Sequence, residues 1–394
     1  MNPYTTLTLK PRRDESLRRL HPWVFSGAVA RADGEAQEGD IVRVADAEGN
    51  FIGIGHCQTG SIAVRILTFE DEIIDEHFWR KKLEKACWLR LNIGLISATN
   101  TTFRLVYGEG DNLPGLVVDV YGETAVIQAH TVGMHLIRQM LAQLIMKIVP
   151  HIKNVFYKSE NTLPGKAPVE REEGYLAGNH NNKFTTLENG LLFQVDWLHG
   201  QKTGFFIDQR ENRSLLEHYA HGKHVLNMFA YTGGFSVYAM RGGAKSVHSV
   251  DSSAKAIELT DINIEQNFPQ DVRHKSFTED AFKYLKNTEN KYDLIVLDPP
   301  AFAKHRDAIS NALRGYQRLN RNAFEKIAVG GLLFTFSCSQ AVTKEQFRLA
   351  VMSAAVEAGR NVRILHLMSQ PADHPINIFH PEGEYLKGLV LYVE

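Results

Sequence analysis

The chain has 394 residues, of which 44% are hydrophobic and 23% charged, which excludes a largely disordered protein and suggests two or three domains. A formal net charge of −1 excludes a uniformly basic RNA-coating protein, so any anion-binding surface must be local. Three cysteines exclude a disulfide scaffold and fit a reducing cytoplasm. We expect neither a targeting signal nor a membrane span, because no apolar run reaches about 18 residues.

The first 72 residues predict a small β unit. Short β-rich runs at 41–44, 51–55 and 62–67 are separated by turns rich in Gly, Asp and Asn. Ahead of them, residues 9–23 hold five Lys or Arg side chains, Arg12 and Arg13 among them, against two acids. Two interpretations of this segment stay open: a solvated face, or a contact with RNA phosphates.

Residues 73–200 predict a central α+β domain. Helical spacing of apolar residues and β-rich runs alternate here, followed by a polar excursion over 164–183 and a hairpin over 187–196 that turns at Asn189-Gly190. The predicted helices span 75–93 and 134–149, and the predicted strands span 115–120, 124–129 and 154–158.

Residues 201–394 predict an α/β domain, because strands and helices alternate throughout. This alternation is typical of a parallel sheet covered by helices. Strands are predicted at 223–228, 246–250, 272–277, 293–297, 332–337, 363–368 and 386–393, with clear helices at 253–267, 312–329 and 344–358.

Ligands of such sheets bind at the carboxyl ends of the strands, so these ends are the candidate site. The first strand is followed by a loop that includes Phe229, Tyr231 and Gly233, and the second ends at Asp251, an acid that could accept ribose hydroxyls. The loop lacks Gly-x-Gly-x-x-Gly spacing and is crowded by aromatics, which favours S-adenosylmethionine over a dinucleotide. Asp280, after the third strand, could accept a hydrogen bond from the adenine amino group or could cap a helix. For the loop after the first strand, the alternative to a ligand site is likewise a plain helix cap.

The fourth and fifth strand ends carry the residues with the clearest chemistry. The fourth strand stops at Asp298 and two prolines, which cannot continue a ladder and fix an acceptor at the sheet edge. Phe302 follows and could lie against a flat base. The fifth strand leads into Cys338, which would face the same cleft as Asp298, although a lone cysteine is more often a small buried hydrophobe.

Basic residues follow the Asp-Pro-Pro turn, and Arg314, Arg318 and Arg321 share a helical face at i, i+4 and i+7. With Lys304 they could contact phosphates at the cleft rim, or form a solvated helix face. We expect no metal, because the histidines show no paired ligand spacing. His374 lies near the expected edge, and a structural role is open for it.

Together these segments resemble the bacterial 23S ribosomal RNA cytosine-C5 methyltransferases of the RlmI type over essentially the whole chain. Each motif alone would be weak, and the combination is specific. The motifs are Leu20-His21-Pro22-Trp23-Val24-Phe25-Ser26-Gly27-Ala28-Val29, Gly108-Glu109-Gly110-Asp111-Asn112-Leu113-Pro114-Gly115-Leu116, Gly200-Gln201-Lys202-Thr203-Gly204-Phe205-Phe206-Ile207-Asp208-Gln209-Arg210, Tyr231-Thr232-Gly233-Gly234-Phe235, Asp298-Pro299-Pro300-Ala301-Phe302, Ser337-Cys338-Ser339 and Ala372-Asp373-His374-Pro375.

The resemblance implies a PUA domain that binds RNA, a central α+β domain and a Rossmann-like class I methyltransferase domain. It implies S-adenosylmethionine as cofactor, 23S ribosomal RNA as partner, Cys338 as nucleophile and Asp298 as the residue that orients the target cytosine. The cofactor pocket would be lined by Phe229, Ala230, Tyr231, Gly233, Asp251 and Asp280, with Phe206, Asp208 and Arg210 closing over it from the preceding domain.

One departure from a wider pattern bears on the reaction. Many RNA cytosine-C5 methyltransferases carry a second cysteine directly after a proline of the fourth-strand motif, where this chain has Ala301 after Pro300. A related branch with the same Asp-Pro-Pro-x-Phe pattern methylates a guanine ring nitrogen without a cysteine. Two alternatives therefore stay open: a guanine or exocyclic-amine N-methyltransferase with a structural Cys338, and an RNA-binding module with an inactive methyltransferase domain. Whether the chain forms a homodimer is also open.

Overall fold

The fold is described from a computed structural model, which describes residues 4–165, 169–179, 184–303 and 305–394. The chain divides into two compact units. The first comprises Met1–Gly190, Val195–Ile207 and Ala372–Gly383, and the second comprises Leu191–Gln194, Asp208–Pro371 and Glu384–Glu394.

The first unit begins with a six-stranded sheet of order β2-β6-β5-β4-β1-β3. The three predicted strands are confirmed, and the basic lead-in contributes a short helix and a further strand to the same unit. The elements are β1 Thr5–Leu9, α1 Glu15–Arg18, β2 Trp23–Phe25, β3 Val29–Ala32, β4 Ile41–Ala45, β5 Phe51–Cys57 and β6 Ile62–Thr68.

A five-stranded sheet of order β11-β10-β9-β8-β7 follows in the same unit. The one helix predicted over 134–149 is two helices, since Ile137 leaves helical geometry (φ −97°, ψ 7°) and the Arg138 side chain donates to the His135 carbonyl at 2.9 Å. The elements are α2 Glu76–Asn92, β7 Thr102–Tyr107, β8 Leu116–Tyr121, β9 Thr124–Ala129, α3 Val132–Leu136, α4 Arg138–Ile148, β10 Asn154–Tyr157 and β11 Gly174–Ala177.

The six-stranded sheet has a hydrophobic cluster of its own around Val42 and Val64, and it also contributes to the core of the five-stranded sheet. Ile54 and Leu67, from the six-stranded sheet, pack in the same cluster as Trp79, Leu105 and Leu141. Removal of residues 1–72 would expose this core to water, so their function is best tested by point substitution in the whole chain.

The strands β12 Thr185–Glu188 and β13 Leu191–Gln194 flank the predicted Asn189-Gly190 turn. Both turn residues have positive φ, 50° and 81°, as a two-residue hairpin turn requires. The remaining elements are α5 Arg210–Tyr219, β14 His224–Met228, α6 Gly234–Arg241, β15 Ser246–Asp251, α7 Ala254–Asn267, β16 His274–Thr278, α8 Ala281–Asn287, β17 Tyr292–Leu297, α9 Ile309–Lys326, β18 Ile327–Ser337, α10 Lys344–Glu357, β19 Val362–Met368 and β20 Lys387–Val393.

The sheet of the second unit has seven strands in the order β16-β15-β14-β17-β18-β20-β19. The predicted parallel pairing holds from β16 to β18. It is wrong for β20, which pairs antiparallel with both β18 and β19. The amino end of β20 therefore lies at the edge where the parallel strands have their carboxyl ends.

Helix α9 shows how the helices cover this sheet. Its buried positions lie at the spacing of one helical face, and they are Ala312, Tyr316, Leu319, Asn320, Ala323 and Phe324. The predicted helix end at residue 329 is wrong, because residues from Ile327 onward belong to β18. Among the described residues, no helix combines the length and apolar character needed to cross a membrane.

Candidate active site

The loop after β14 has unusual backbone conformations. Phe229 and Tyr231 have φ of 59° and 48°, and Gly233 has φ of 76°. Residues with side chains rarely adopt this left-handed region, and such strain persists where the surroundings enforce it, commonly at ligand sites. At Gly233 a Cβ atom would lie 2.6 Å from the Thr260 side chain, so the position requires glycine.

Neighbouring elements hold this loop in place. Asp251, at the end of β15, accepts the Tyr231 N–H on Oδ2 and the Ser253 N–H on Oδ1, each at 2.9 Å. Thr260 Oγ1 donates to the Tyr231 carbonyl at 2.9 Å. The Asp251 side chain therefore supports the loop by accepting backbone N–H groups, and this support does not depend on a bound ligand. Asp280 is exposed and caps α8 by accepting the Lys283 N–H at 3.0 Å, as the helix-cap alternative describes.

Asp298 and Cys338 directly follow β17 and β18, which are parallel neighbours. Both side chains are half-buried, and the Cys338 thiol donates to the Pro299 carbonyl with an Sγ–O distance of 3.8 Å. The pKa of Asp298 is raised to about 7, mainly by burial and to a smaller extent by the charge of Asp208. Burial, followed by the charges of Asp298 and Asp208, raises the pKa of the Cys338 thiol to about 12.

Asp208 is a third acid at this edge. Its Oδ2 accepts a hydrogen bond from the Tyr385 hydroxyl at 2.6 Å. Its Oδ1 is buried and has no hydrogen-bond partner within the described part of the chain. A buried acceptor without a donor costs free energy, so a donor from a bound molecule would stabilise this arrangement. The Gln209 side chain in turn donates to Asp298.

Lys387 brings a buried cation to the same edge. Its Nζ donates to the Ser339 carbonyl at 2.6 Å and to the Val342 carbonyl at 2.9 Å. Burial lowers the pKa of Lys387 to about 8, against the opposing effect of the Cys338 charge. Lys387 and Tyr385 were not among the predicted site residues, and the feature that locates them is the antiparallel direction of β20.

The Phe302 ring is anchored by α9. Its centroid lies 4.6 Å from that of Tyr316, with 35° between the planes, and a Cβ atom on Gly315 would lie 3.0 Å from the ring. Helix α9 therefore packs against this ring. Its contact with a nucleobase stays a prediction.

The predicted phosphate contacts on α9 differ in their surroundings. Arg314 is exposed. The Arg318 guanidinium lies over the Phe282 ring, 4.5 Å from its centroid, so it also shields an aromatic side chain. Lys304 lies outside the described residues.

Other predicted residues fall in both units. Arg12 and Arg13 are exposed in the first unit after β1, with φ of 62° at Arg12. Phe206 is half-buried in the segment Val195–Ile207 of the first unit, whereas Arg210 begins α5 in the second unit and is buried. His374 is buried in the first unit with Nδ1 3.0 Å from Asp373 Oδ1, which indicates a structural role.

Within the described ranges, His21, His380 and Glu382 of the first unit place potential metal-ligand atoms within 4.8 Å of one another. His21 Nδ1 accepts the Trp23 N–H at 3.2 Å. A neutral His21 then carries its proton on Nε2, which faces the Glu382 carboxylate at 3.4 Å. Because Nε2 is a donor in this arrangement, His21 contacts Glu382 through a hydrogen bond and does not offer that atom as a metal ligand.

Comparison with known proteins identifies the family. A model of S-adenosylmethionine-dependent methyltransferases matches residues 166–377, and a model of PUA-like domains matches residues 7–69. Ribosomal RNA large subunit methyltransferase I of Alteromonas mediterranea is 41% identical over 390 residues, which are 98% of this chain and 98% of the relative. The Escherichia coli protein of that name is 36% identical over 397 residues, covering 98% of this chain and 99% of its own length. The chain belongs to this methyltransferase family.

Membership confirms the resemblance found in the motifs, the α/β fold class with a PUA-like domain in front, and S-adenosylmethionine as the cofactor. A solved structure described as a SAM-dependent methyltransferase from Streptococcus mutans has the same fold. It superposes with a TM-score of 0.83 at 24% identity and covers 98% of this chain and 99% of its own.

Proposed function

We propose that this protein methylates C5 of a cytosine in 23S ribosomal RNA, with Cys338 as the nucleophile and Asp298 as the acid at the target base. The observation that carries the proposal is the placement of these two side chains at adjacent carboxyl strand ends, where the charge of Asp298 acts on the Cys338 thiol. The choice of large-subunit ribosomal RNA as substrate is supported by the names of the relatives. A cytoplasmic location accords with that substrate.

The carboxyl edge suits a cationic cofactor that is rich in hydrogen-bond donors. Asp208, Asp251 and Asp298 all lie there, and the buried Asp208 Oδ1 lacks a donor in the described structure. Bound S-adenosylmethionine supplies an electrophilic methyl group, and it also carries an ammonium, a sulfonium and two ribose hydroxyls. We infer that Asp251 accepts from the hydroxyls and that Asp208 accepts from the ammonium. The other residues predicted to line the cofactor pocket remain predictions, and they are the strained Phe229–Gly233 loop, Asp280, Phe206 and Arg210.

Asp251→Ala is expected to weaken S-adenosylmethionine binding by about 1.5–3 kcal/mol, because hydrogen bonds to a charged acceptor and support of the loop are both lost. Titration calorimetry measures the effect, with Glu258→Ala on the exposed side of α7 as control. Affinity for ribosomal RNA should stay unchanged. A variant with wild-type cofactor affinity would contradict the pocket assignment.

Cytosine C5 is a poor nucleophile until a group adds at C6. The Cys338 thiolate would form a bond to C6, which makes C5 electron-rich enough to take the methyl group, and Asp298 would protonate the ring at N3 as the electrons move. After methyl transfer N3 returns its proton to the Asp298 carboxylate. A base then removes the C5 proton, and the re-formed C5–C6 double bond expels the thiolate. The target cytidine must be unstacked, because C6 is shielded inside a duplex.

The thiol is not activated before the ligands bind. With its pKa raised to about 12, Cys338 is protonated at neutral pH, and the charges of Asp298 and Asp208 both oppose ionisation. A cationic cofactor beside these acids and protonation of Asp298 would each relieve that opposition. Lys387 already favours the thiolate. We infer that bound cofactor and RNA together generate the nucleophile.

A second candidate is methylation of a guanine ring nitrogen or an exocyclic amine, with Cys338 structural. The raised thiol pKa and the contact of Sγ with the Pro299 carbonyl favour it, because both describe a quiet buried thiol. The two candidates differ in whether loss of the thiol ends methylation.

RNA affinity is proposed to come in part from Arg12 and Arg13, in the segment matched by the PUA-like model. In the whole chain, Arg12→Gln with Arg13→Gln should weaken binding of 23S ribosomal RNA and lower the slope of log affinity against log salt by about 1.5. Filter binding across a salt series measures both quantities. Lys81→Gln with Lys85→Gln, on exposed positions of α2, removes the same charge elsewhere. Equal slopes for the two double variants would argue against the assignment.

The reaction itself is tested by mapping modified nucleosides in large-subunit ribosomal RNA from a deletion strain. We expect one 5-methylcytidine to disappear and to return when the purified protein acts on the deletion-strain RNA. Loss of a methylguanosine instead would establish the second candidate.

A further inference from the structure

A separate cavity of about 470 Å³ opens at the opposite edge of the seven-stranded sheet. Four parallel neighbours, β16, β15, β14 and β17, begin there, so the cavity lies at amino ends while Asp298 and Cys338 lie at carboxyl ends. Its charged and imidazole lining consists of His224, Lys245, His248, Arg273, Lys275 and Lys291.

The charge of this lining is one-sided. It holds four Lys or Arg side chains and no Asp or Glu, although the whole chain has a net charge of −1. The guanidinium of Arg273 is paired with Asp271 at 2.6 Å, and Lys291 Nζ donates to the Glu325 carbonyl at 2.6 Å. Lys245 and Lys275 are exposed and have no carboxylate partner among the described residues. Their charges are therefore available to a ligand.

Both exposed lysines line the same cavity at the amino edge of the sheet. Lys275 of β16 is paired with His248 of β15, and Lys245 directly precedes β15. Other residues of the cavity wall are polar and held by hydrogen bonds, since His248 Nδ1 is 2.9 Å from the Tyr292 hydroxyl and His224 Nδ1 is 2.7 Å from Ser246 Oγ. Like charges that line one cavity repel one another, and a bound anion reduces that repulsion.

We propose that this cavity binds phosphate oxyanions through Lys245 and Lys275, the source being backbone phosphates of the RNA substrate. The RNA source rests on the proposed function, whereas binding of a phosphate group does not. Compact ammonium groups on a concave polar wall suit phosphate oxygens. A phosphate contact at the amino edge of the sheet, in addition to contacts near the candidate active site, would fix the orientation of a large RNA.

The test compares wild-type protein, Lys245→Gln with Lys275→Gln, and the control Lys81→Gln with Lys85→Gln. Filter binding of transcribed 23S ribosomal RNA over a salt series is expected to show about tenfold weaker binding by the cavity variant and a slope smaller by about 1.5. The control variant should match wild type in this respect. Binding of S-adenosylmethionine should be equal in all three proteins, which shows that the second unit stays folded.

Calorimetry with inorganic pyrophosphate separates the two sources. Pyrophosphate binding by wild type that the cavity variant loses, together with the RNA effect, supports the proposal in full. Loss of pyrophosphate binding with unchanged RNA affinity assigns the cavity to small phosphate compounds and overturns the RNA source. Unchanged pyrophosphate and RNA binding overturns the proposal. If wild-type protein binds pyrophosphate but not RNA, the proposed function fails and the phosphate site stands.

Discussion

Cys338→Ser is expected to lower methylation of 23S ribosomal RNA by at least about a thousandfold, because a serine hydroxyl is almost entirely un-ionised at neutral pH. The thiolate route also requires a covalent bond between enzyme and RNA. With 5-fluorocytidine at the target, the C5 fluorine cannot leave as a proton does, so the adduct should accumulate after methyl transfer. Denaturing gels of enzyme with labelled RNA measure it, and Cys338→Ser should abolish it.

The controls follow from the other two cysteines. Cys57 and Cys87 lie in the first unit, and Cys57→Ser should leave both methylation and adduct unchanged. Cofactor affinity should survive in Cys338→Ser, because the serine keeps the shape of the site. A Cys338→Ser enzyme that methylates at a near wild-type rate would reject the C5 mechanism and favour methylation of a nitrogen.

The sequence predicted much of the second unit because each local signal agreed with the global fold. The strand that ends at Asp298 is an apolar run after Tyr292-Asp293, and Gly222 and Gly233 mark the turns on either side of its neighbour β14. The loop from Phe229 to Gly233 was located by its position after the first strand. Its left-handed aromatic residues could not be foreseen, since Asp251 and Thr260 impose that conformation through tertiary contacts.

Strand direction was the largest gap in the prediction, and it concealed part of the site. An apolar run such as 386–393 has the same pattern whether the strand is parallel or antiparallel. Because β20 runs antiparallel, its first residues lie beside the carboxyl ends of the others, and Tyr385 and Lys387 reach Asp208 and the loop after Cys338. Read as parallel, the same residues fall at the far edge. Direction depends on which strands become neighbours, and no local pattern encodes that.

Asp298→Asn is expected to stabilise the cofactor-free protein at pH 8 by about 1–3 kcal/mol while lowering methylation by about a hundredfold or more. The pKa of Asp298 rises from 3.8 to about 7 on folding, because burial and the charge of Asp208 disfavour the carboxylate. An unfolded chain ionises this group near pH 4 and the folded chain only near pH 7. The free energy of unfolding therefore falls as the pH rises through this window and stays reduced above it.

Asparagine at position 298 cannot ionise and keeps an acceptor for the Gln209 side chain, so the penalty disappears in the variant. Its advantage in stability should be largest at pH 8 and should shrink as the pH falls toward 4, which denaturant unfolding at several pH values measures. Asp307→Asn, an exposed acid near the same turn, should show no such trend.

Activity is lost because an amide cannot deliver a proton to the ring nitrogen as the thiolate adds. An advantage that did not vary with pH, or a destabilised variant at pH 8, would contradict the raised pKa of Asp298. A fully active variant would remove Asp298 from the reaction.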